Sequence, residues 1–284
     1  MAEIGKVEAA LHLVAVPIGA ARDITLRALD LLAGADVLAA EDTRSLRRLM
    51  EIHGIALGDR PLIAYHDHNG AAARPKLLAL LRDGKSVAYA SEAGTPLVAD
   101  PGFQLGVAAR AEGLAVRAAP GASAVLAALC VAGLPTDRFL FAGFLPPKSG
   151  ARKAALQELA AVPATLVLYE SPKRLAAMLR DAAEVLGARE AAICRELTKR
   201  FEEVRRGPLD ALAVAYADEA PRGEIVVVID RPAARDADPD ILRDALRAAM
   251  AEGSVKDAAQ EISDAFGVPR RQVYEMALAL KDET

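Results

Sequence analysis

The 284-residue sequence has only two cysteines, Cys130 and Cys194, and neither stands in a CxxC or Cys/His spacing. That argues against a disulfide scaffold and a zinc site, and it suits a reducing cytoplasm. No two glycines are spaced GxG, and GxxxxGK[ST], HExxH and GxSxG are all missing. Rossmann hydride transfer, P-loop hydrolysis, zinc hydrolysis and serine-esterase chemistry therefore lose their usual signatures. No apolar run is unbroken enough to cross a bilayer. The longest charge-free stretch, Ala118 to Thr136, is interrupted by Pro120, Gly121, Gly133 and Pro135. An excess of positive charge is lacking too, since the net charge is −4. Bulk composition is thus not that of a strongly basic nucleic-acid binder, although a local basic patch remains compatible with it.

Hydrophobic residues make up 53% and charged residues 26%, enough apolar material for real cores. The length suggests about two domains and a small appendage. Residues 9–21 are mostly apolar, but Glu3 and Glu8 outnumber Lys6 before them, and Pro17 and Gly19 interrupt them. They read as a buried first strand, not as the apolar core of a signal peptide.

Strands are expected at Leu11–Val16, Asp36–Ala40, Pro61–Tyr65, Ser86–Ala90 and near Leu114–Ala118. Between them fall a helix capped by Asp23 and stopped by Gly34, one capped by Thr43 and running to His53, and one at Ala71–Arg82. A small-residue helix follows Ser123 to about Ala132. The rhythm then restarts, with strands at Arg138–Phe144, Thr165–Tyr169, Ala191–Arg195 and Glu224–Ile229 and helices at Gly150–Ala160 and Pro172–Leu186. This alternation predicts an α/β chain of two domains, 1–119 and 120–231, the first strand set forming a parallel or mostly parallel sheet. Arg231–Pro239 reads as a linker. Ile241–Ala251, Val255–Phe266 and Arg270–Leu280 read as three helices of a tail, 238–284, resembling a helix-turn-helix. Arg270 and Arg271 begin its last helix, where such motifs touch nucleic acid. A packing or dimerising tail is the plainer reading.

Polar and glycine-rich segments follow the strands, at the sheet edge where open α/β sheets bind ligands. Glu41-Asp42-Thr43-Arg44 is either a helix cap or a ligand-facing charge cluster. His66 and His68 flank Asp67 two residues apart; they suit a substrate loop, a structural turn or, less well without a third ligand, a metal. Ser91-Glu92-Ala93-Gly94-Thr95-Pro96, with Asp100-Pro101-Gly102 and later Pro120-Gly121-Ala122-Ser123, offers backbone donors and one carboxylate. That suits a small polar ligand with a ribose or amino-acid group better than a triphosphate. Arg138, Lys148, Arg152, Lys153, Arg174, Lys199, Arg200, Arg205 and Arg206 are either a solvated surface or a phosphate-tracking patch.

Taken in order, Pro17-Ile18-Gly19, Ala40-Glu41-Asp42-Thr43-Arg44, His66-Asp67-His68-Asn69, Ala93-Gly94-Thr95-Pro96, Leu134-Pro135-Thr136-Asp137-Arg138-Phe139, Gly143-Phe144-Leu145-Pro146, Tyr169-Glu170-Ser171, Arg195-Glu196-Leu197-Thr198-Lys199 and Gly223-Glu224 resemble the RsmI family. These are bacterial small-subunit (16S) ribosomal RNA (cytidine-2′-O)-methyltransferases of the tetrapyrrole-methylase superfamily. The resemblance spans about residues 11–230, and the tail resembles the family's C-terminal helical domain. It implies two α/β domains, S-adenosylmethionine in the cleft between them, a cytoplasmic homodimer, and ribosomal RNA as partner. By position, Ile18, Glu92, Thr95, Ser123 and Ala124 should contact the donor from the first domain, and Leu168, Leu197 and Gly223 from the second. Ala20-Ala21 stand where Asn-Leu is common, Glu92 where Asp is usual, and Ala122 where Pro is usual. For in-line transfer to a ribose 2′-oxygen, Asp42, His66, Asp67 and Glu170 are candidate proton acceptors. Arg44, His68, Lys148, Arg152 and Lys199 are candidate RNA contacts, and no metal is expected. Competing readings are a tetrapyrrole or corrinoid methyltransferase of the same superfamily and a non-catalytic nucleic-acid-binding protein.

Overall fold

The computed structural model describes residues 6–100, 102–218, 221–232 and 239–282. Pro101 and most of the expected linker, 233–238, lie outside the described residues. Five strands, β1 (Leu11–Val14), β2 (Val37–Ala40), β3 (Leu62–Ala64), β4 (Val87–Ala90) and β5 (Val116–Ala119), form one sheet in the order β3-β2-β4-β1-β5. Every neighbouring pair is parallel. β1, β2 and β4 are buried along their whole length. This is why they read as continuous apolar runs, as parallel strands covered on both faces do. One face packs on α1 (Leu26–Gly34) and α2 (Thr43–Ile52), the other on α3 (Gly70–Arg82) and α4 (Phe103–Ala111).

Two caps differ from expectation. Thr25, not Asp23, caps α1: its hydroxyl accepts the Ala28 N–H at 3.1 Å, while Asp23 ends a single 3-10 turn. Asp42, not Thr43, caps α2, its carboxylate accepting the N–H groups of Arg44 at 2.7 Å and Ser45 at 3.5 Å. An acceptor one position earlier reaches both orphan donors of the first turn. The helix α4 was not anticipated, because Gly106 and its alanines mask the apolar period.

The second half holds α5 (Ala124–Ala132), β6 (Phe139–Phe144), α6 (Ser149–Leu159), β7 (Thr165–Glu170), α7 (Leu175–Leu186), β8 (Glu190–Arg195), β9 (Glu203–Pro208), α8 (Leu209–Ala215) and β10 (Ile225–Ile229). Its sheet runs β6-β7-β10-β8-β9, and only β6–β7 is parallel. The expectation of a parallel first sheet thus holds, and the second sheet is mixed. The unforeseen β9 carries Arg205 and Arg206, charge that an edge strand tolerates. Ile225, Val227 and Ile229 of β10 point into the core with α6, α7 and α8, while Val226 and Val228 face α5.

Arg152 is a fastener of this half. It is buried, with its Nε 2.7 Å and Nη2 2.6 Å from Asp181 Oδ2, and its Nη1 donates to the Pro147 carbonyl at 3.1 Å. The pair pins the turn before α6 onto α7.

The halves meet at a close approach. The Ala20 N–H donates to Thr198 Oγ1 at 3.0 Å. A Cβ at Gly19 would lie 2.6 Å from that hydroxyl and 3.0 Å from the Leu197 carbonyl. Ile18 joins Leu197, Cys194 and α5 in one apolar cluster. The tail, α9 (Pro239–Glu252), α10 (Val255–Phe266) and α11 (Arg270–Asp282), has its own core around Leu246, Ile262 and Val273. Ser254 caps α10, and Gly267 closes it in the left-handed conformation.

Replacing Asp181 with Ala leaves the buried Arg152 guanidinium without a counter-charge. We expect a loss of about 3–5 kcal/mol in denaturant unfolding. A loss below about 1 kcal/mol would show that the pair does not hold α6 to α7.

Candidate active site

A cavity of about 520 Å³ lies between the two sheets. Its first wall comes from the carboxyl ends of β1, β2 and β4, through Ile18, Glu41 and the 91–100 loop; Ser123 and Ala124 close it at the start of α5. Its second wall is the end of β7 with Tyr169 and Glu170, the segment after β8 with Leu197, and the start of β10 with Gly223 and Glu224. Parallel strands leave their unpaired carboxyl ends on one side, so loops of distant sequence converge there. Ile18, Cys194, Leu197 and Val226 make an apolar floor. Phe144 and Tyr169 stack edge-on at 5.5 Å between ring centres on one side.

Four carboxylates line the cavity, Glu41, Glu92, Asp100 and Glu224; Glu170 borders it too, with its side chain fully buried, and among the described residues no Lys, Arg or His lines it. They are not equivalent. Glu170 is engaged from behind: Oε1 accepts the Ser171 N–H at 2.7 Å and Oε2 accepts from Arg174 at 3.0 Å. Glu224 is tied to Lys199 at 2.7 Å, and Lys199 also holds Glu196 at 2.8 Å. The Lys199 ammonium beside Glu196 keeps that carboxyl below the usual carboxylate range. Asp100 Oδ1 accepts from the Tyr89 hydroxyl at 2.9 Å and the Gly102 N–H at 2.7 Å, but its Oδ2 is buried without a protein partner. Glu41 Oε2 accepts the Glu92 N–H at 3.0 Å. Burial pushes the Glu41 carboxyl up; the Glu92 N–H opposes this, and the charges of Asp100 and Glu92 add to it. A partly buried pocket lined by carboxylates, with no basic side chain among the described residues, suits a cation.

Among the described residues, four non-glycine residues have positive φ, Leu97 (72°), Ala99 (55°), Glu196 (51°) and Thr198 (63°), and all four lie in the two loops that flank the cavity. Such backbone costs of order 1–3 kcal/mol per residue and persists where surrounding contacts over-determine it. Gly223 (φ 96°) has a second constraint, since a Cβ there would overlap the Glu196 carboxylate.

The family described as Tetrapyrrole (Corrin/Porphyrin) Methylases matches residues 10–213, and the RsmI C-terminal HTH domain matches residues 235–281. A Mesorhizobium japonicum protein named Ribosomal RNA small subunit methyltransferase I is 50% identical over 277 residues, covering 97% of this chain and 93% of its own. A Mycobacterium tuberculosis (strain ATCC 25618 / H37Rv) protein of the same name is 45% identical over 277 residues, covering 96% of each chain. This chain belongs to the ribosomal RNA small subunit methyltransferase I family. Among solved structures, a diphthine synthase aligns with TM-score 0.60 at 16% identity over 78% of this chain and 89% of that one. A uroporphyrin-III C-methyltransferase from Thermus thermophilus, complexed with S-adenosyl homocysteine, aligns with TM-score 0.54 at 22% identity over 77% and 96%. Both likenesses show the fold.

Of the donor contacts implied by resemblance to this methyltransferase family, Ile18, Glu92, Thr95, Ser123, Ala124, Leu197 and Gly223 line the cavity. The Leu168 side chain does not: it is fully buried with α6 and α7 on the opposite face of β7. Among the proton-acceptor candidates, only Glu170 borders the cavity. Asp42 borders a neighbouring groove, where it caps α2 and pairs with Arg44 at 3.3 Å. His66, Asp67 and His68 follow β3, the sheet edge beyond β2, and are not among the lining residues. The rings of His66 and His68 sit edge-on at 6.0 Å, and no metal-binding group of three exists among the described residues.

The basic cluster dissolves on inspection. Arg152, Lys153, Arg174, Lys199 and Arg205 are spent on carboxylates, and Arg206 on the carbonyls of Val131 and Ala132. Arg152 is buried and so cannot reach RNA, Lys199 is partly exposed within its ion pairs, and Arg44, His68 and Lys148 are exposed. Sequence reading passed over Glu41, Asp100, Phe144 and Glu224 as site residues. Glu41 had a usable signal, because the first residue beyond β2 prolongs the strand into the ligand edge.

The raised Glu41 carboxyl sets a sign for stability. A carboxyl whose folded pKa lies above its unfolded value favours the fold while protonated, and that contribution is lost as pH rises through the folded pKa. Glu41→Gln is therefore expected to raise the melting midpoint at neutral pH by roughly 1–3 °C and to leave it unchanged near pH 3.5. Equal midpoints for the two proteins at both pH values would contradict the crowding of charge described above.

Proposed function

We propose that this cavity binds S-adenosylmethionine and that the protein transfers the donor's methyl group to the ribose 2′-oxygen of a cytidine in small-subunit ribosomal RNA. The observation that carries the reading is the cavity itself, apolar below, carboxylate-lined above and free of basic side chains. That composition suits a ligand joining a flat apolar base to a cationic sulfonium. The Glu41 and Glu92 carboxylates on the cavity wall suit such a charge. The names of the curated relatives support ribosomal RNA as the acceptor. A tetrapyrrole acceptor would give no role to the helical tail.

The donor supplies an electrophilic methyl group on a positively charged sulfur. The protein's part is to hold the ribose oxygen in line with it and to keep water away. As the ribose oxygen forms its new bond to carbon, the carbon–sulfur bond breaks toward sulfur and the hydroxyl proton needs an acceptor. Glu41 suits that role best. Glu170 has both oxygens engaged, Glu224 is held by Lys199, and Asp100 is anchored by Tyr89 and Gly102. Glu92 is exposed to solvent. Partial burial makes Glu41 a better base than an ordinary carboxylate.

We infer a homodimer acting on ribosomes in the cytoplasm. Phe103 and Val107, one turn apart on α4, are 54% and 47% exposed and offer apolar surface for a second copy. Light scattering on the purified chain should give twice the monomer mass; the monomer mass at micromolar concentration would end the dimer reading.

Glu41→Gln should lower kcat by about 10²–10⁴-fold while donor affinity in calorimetry stays within a few-fold. Activity within threefold of the parent would remove Glu41 from the chemistry. Should the parent protein bind neither S-adenosylmethionine nor its demethylated product, with small subunits present or absent, the whole reading falls.

A further inference from the structure

A second groove, of about 570 Å³, opens directly beside the cavity and shares Ser91 and Glu92 with it. One side is the segment after β1, at Pro17 and Gly19. The other is a single face of α2, where Ser45, Arg48, Leu49 and Ile52 follow one another at helical spacing, with Arg44 at the head. The charged side chains are extended into solvent: that of Arg44 is 91% exposed and that of Arg48 75%. Among the described residues each meets a loose surface partner, Asp42 at 3.3 Å and Glu51 at 3.6 Å, and such pairs contribute little. At the far end Ile52 leaves 52% of its surface exposed, an apolar step.

We infer that this groove carries the RNA strand flanking the acceptor nucleotide, with Arg44 and Arg48 on its phosphates and Leu49 and Ile52 under a base. The inference rests on the methyl-transfer reading above. Its ground is electrostatic. A cavity lined by four carboxylates admits one uncharged ribose but repels the phosphates on either side of it. The chain leaving that ribose therefore needs a cationic exit that starts at the cavity mouth. The α2 groove starts there and presents two arginines about one helical turn apart. Arginine suits phosphate through its planar fork of donors. An exposed aliphatic residue in line with them accepts a base face, as in strand-tracking grooves elsewhere. Asp42 and Glu92 also border the groove, but the Asp42 carboxylate caps α2 and is 27% exposed against 91% for the Arg44 side chain, so the guanidinium stands outermost and meets a phosphate first.

The test uses the full chain and small ribosomal subunits isolated from cells that lack this protein. Affinity is measured against salt for the parent, for Arg44→Gln/Arg48→Gln and for Ile52→Ser, with donor affinity read in parallel by calorimetry. The double variant should bind subunits about tenfold more weakly near physiological salt, and its log–log salt slope should fall by about 0.7 per lost contact. Ile52→Ser should weaken binding at every salt concentration without changing the slope. Unchanged donor affinity in both variants shows that the fold and the cavity are intact. A double variant with the parental affinity and slope overturns the inference. So does weakening without a change of slope, which would assign α2 to a ribosomal protein. The salt slope is read from binding alone, so it stays informative even if the parent fails to bind the donor, a result that would instead overturn the methyl-transfer reading.

Discussion

The active cleft depends on one short-range contact between two independently cored sheets. Gly19 and Ala20, just past β1, lie against Leu197 and Thr198, and one N–H to hydroxyl bond of 3.0 Å closes the approach. Ile18 and Leu197 then bury together with α5. The first sheet alone offers only an open edge of strand ends. The second alone offers an aromatic pair and a loop. Brought together, they enclose a volume in which charges are partly withdrawn from water, and electrostatic interactions there exceed those at a surface.

Charge in this protein is sorted by place, not by amount. Most of the basic residues in the second half neutralise carboxylates or cap carbonyls of their own chain. Arg152 with Asp181, Arg174 with Glu170, and Lys199 with Glu196 and Glu224 are the main cases. The cavity side of that arrangement is left acidic. Exposed positive charge includes Arg44 and Arg48 on α2, Lys148 before α6 and, at the start of α11, Arg270, which borders a shallow hollow with Lys256 and Tyr274. A net charge of −4 therefore conceals an acidic cavity and basic side chains set apart from it.

Much of this was legible in the sequence because buried parallel strands are continuous apolar runs and their carboxyl ends carry the polar segments. β1, β2 and β4 were found for that reason, and the 91–100 loop stood out by its Gly, Pro and Asp content. The same logic failed where the local signal had two meanings. Asp42 and Glu41 are adjacent carboxylates, and only the cap geometry shows that Asp42 is committed to α2 while Glu41 faces the cavity. Arg152 looks like any basic side chain until its burial against Asp181 is known, because pairing with a residue 29 positions away leaves no local pattern. Leu168 and Tyr169 are neighbours on β7, so the side-chain alternation of a strand sends only one of them toward the cavity. The antiparallel half of the second sheet stayed hidden because β10 is apolar on both faces, which reads as parallel until the pairing is seen.

The strained loops follow from what such a site must do. Four residues in left-handed backbone would together cost several kcal/mol if left alone. They are held by contacts that have structural roles of their own. Thr198 takes the Ala20 N–H and gives its own N–H to Glu202 at 2.6 Å. Glu196 exchanges main-chain and side-chain bonds with Glu224 and Lys199. In the first domain, the Gly94–Val16 bridge ties the start of the 91–100 loop to the end of β1, and the Asp100 carboxylate anchors its far end through Tyr89 and Gly102. Strain that is compensated on both sides of a cavity fixes the positions of its walls. A methyl transfer that depends on aligning two atoms gains more from fixed walls than from any single proton acceptor. On this argument the loops at 97–99 and 196–198 matter to the rate as much as the groups that touch the reacting atoms.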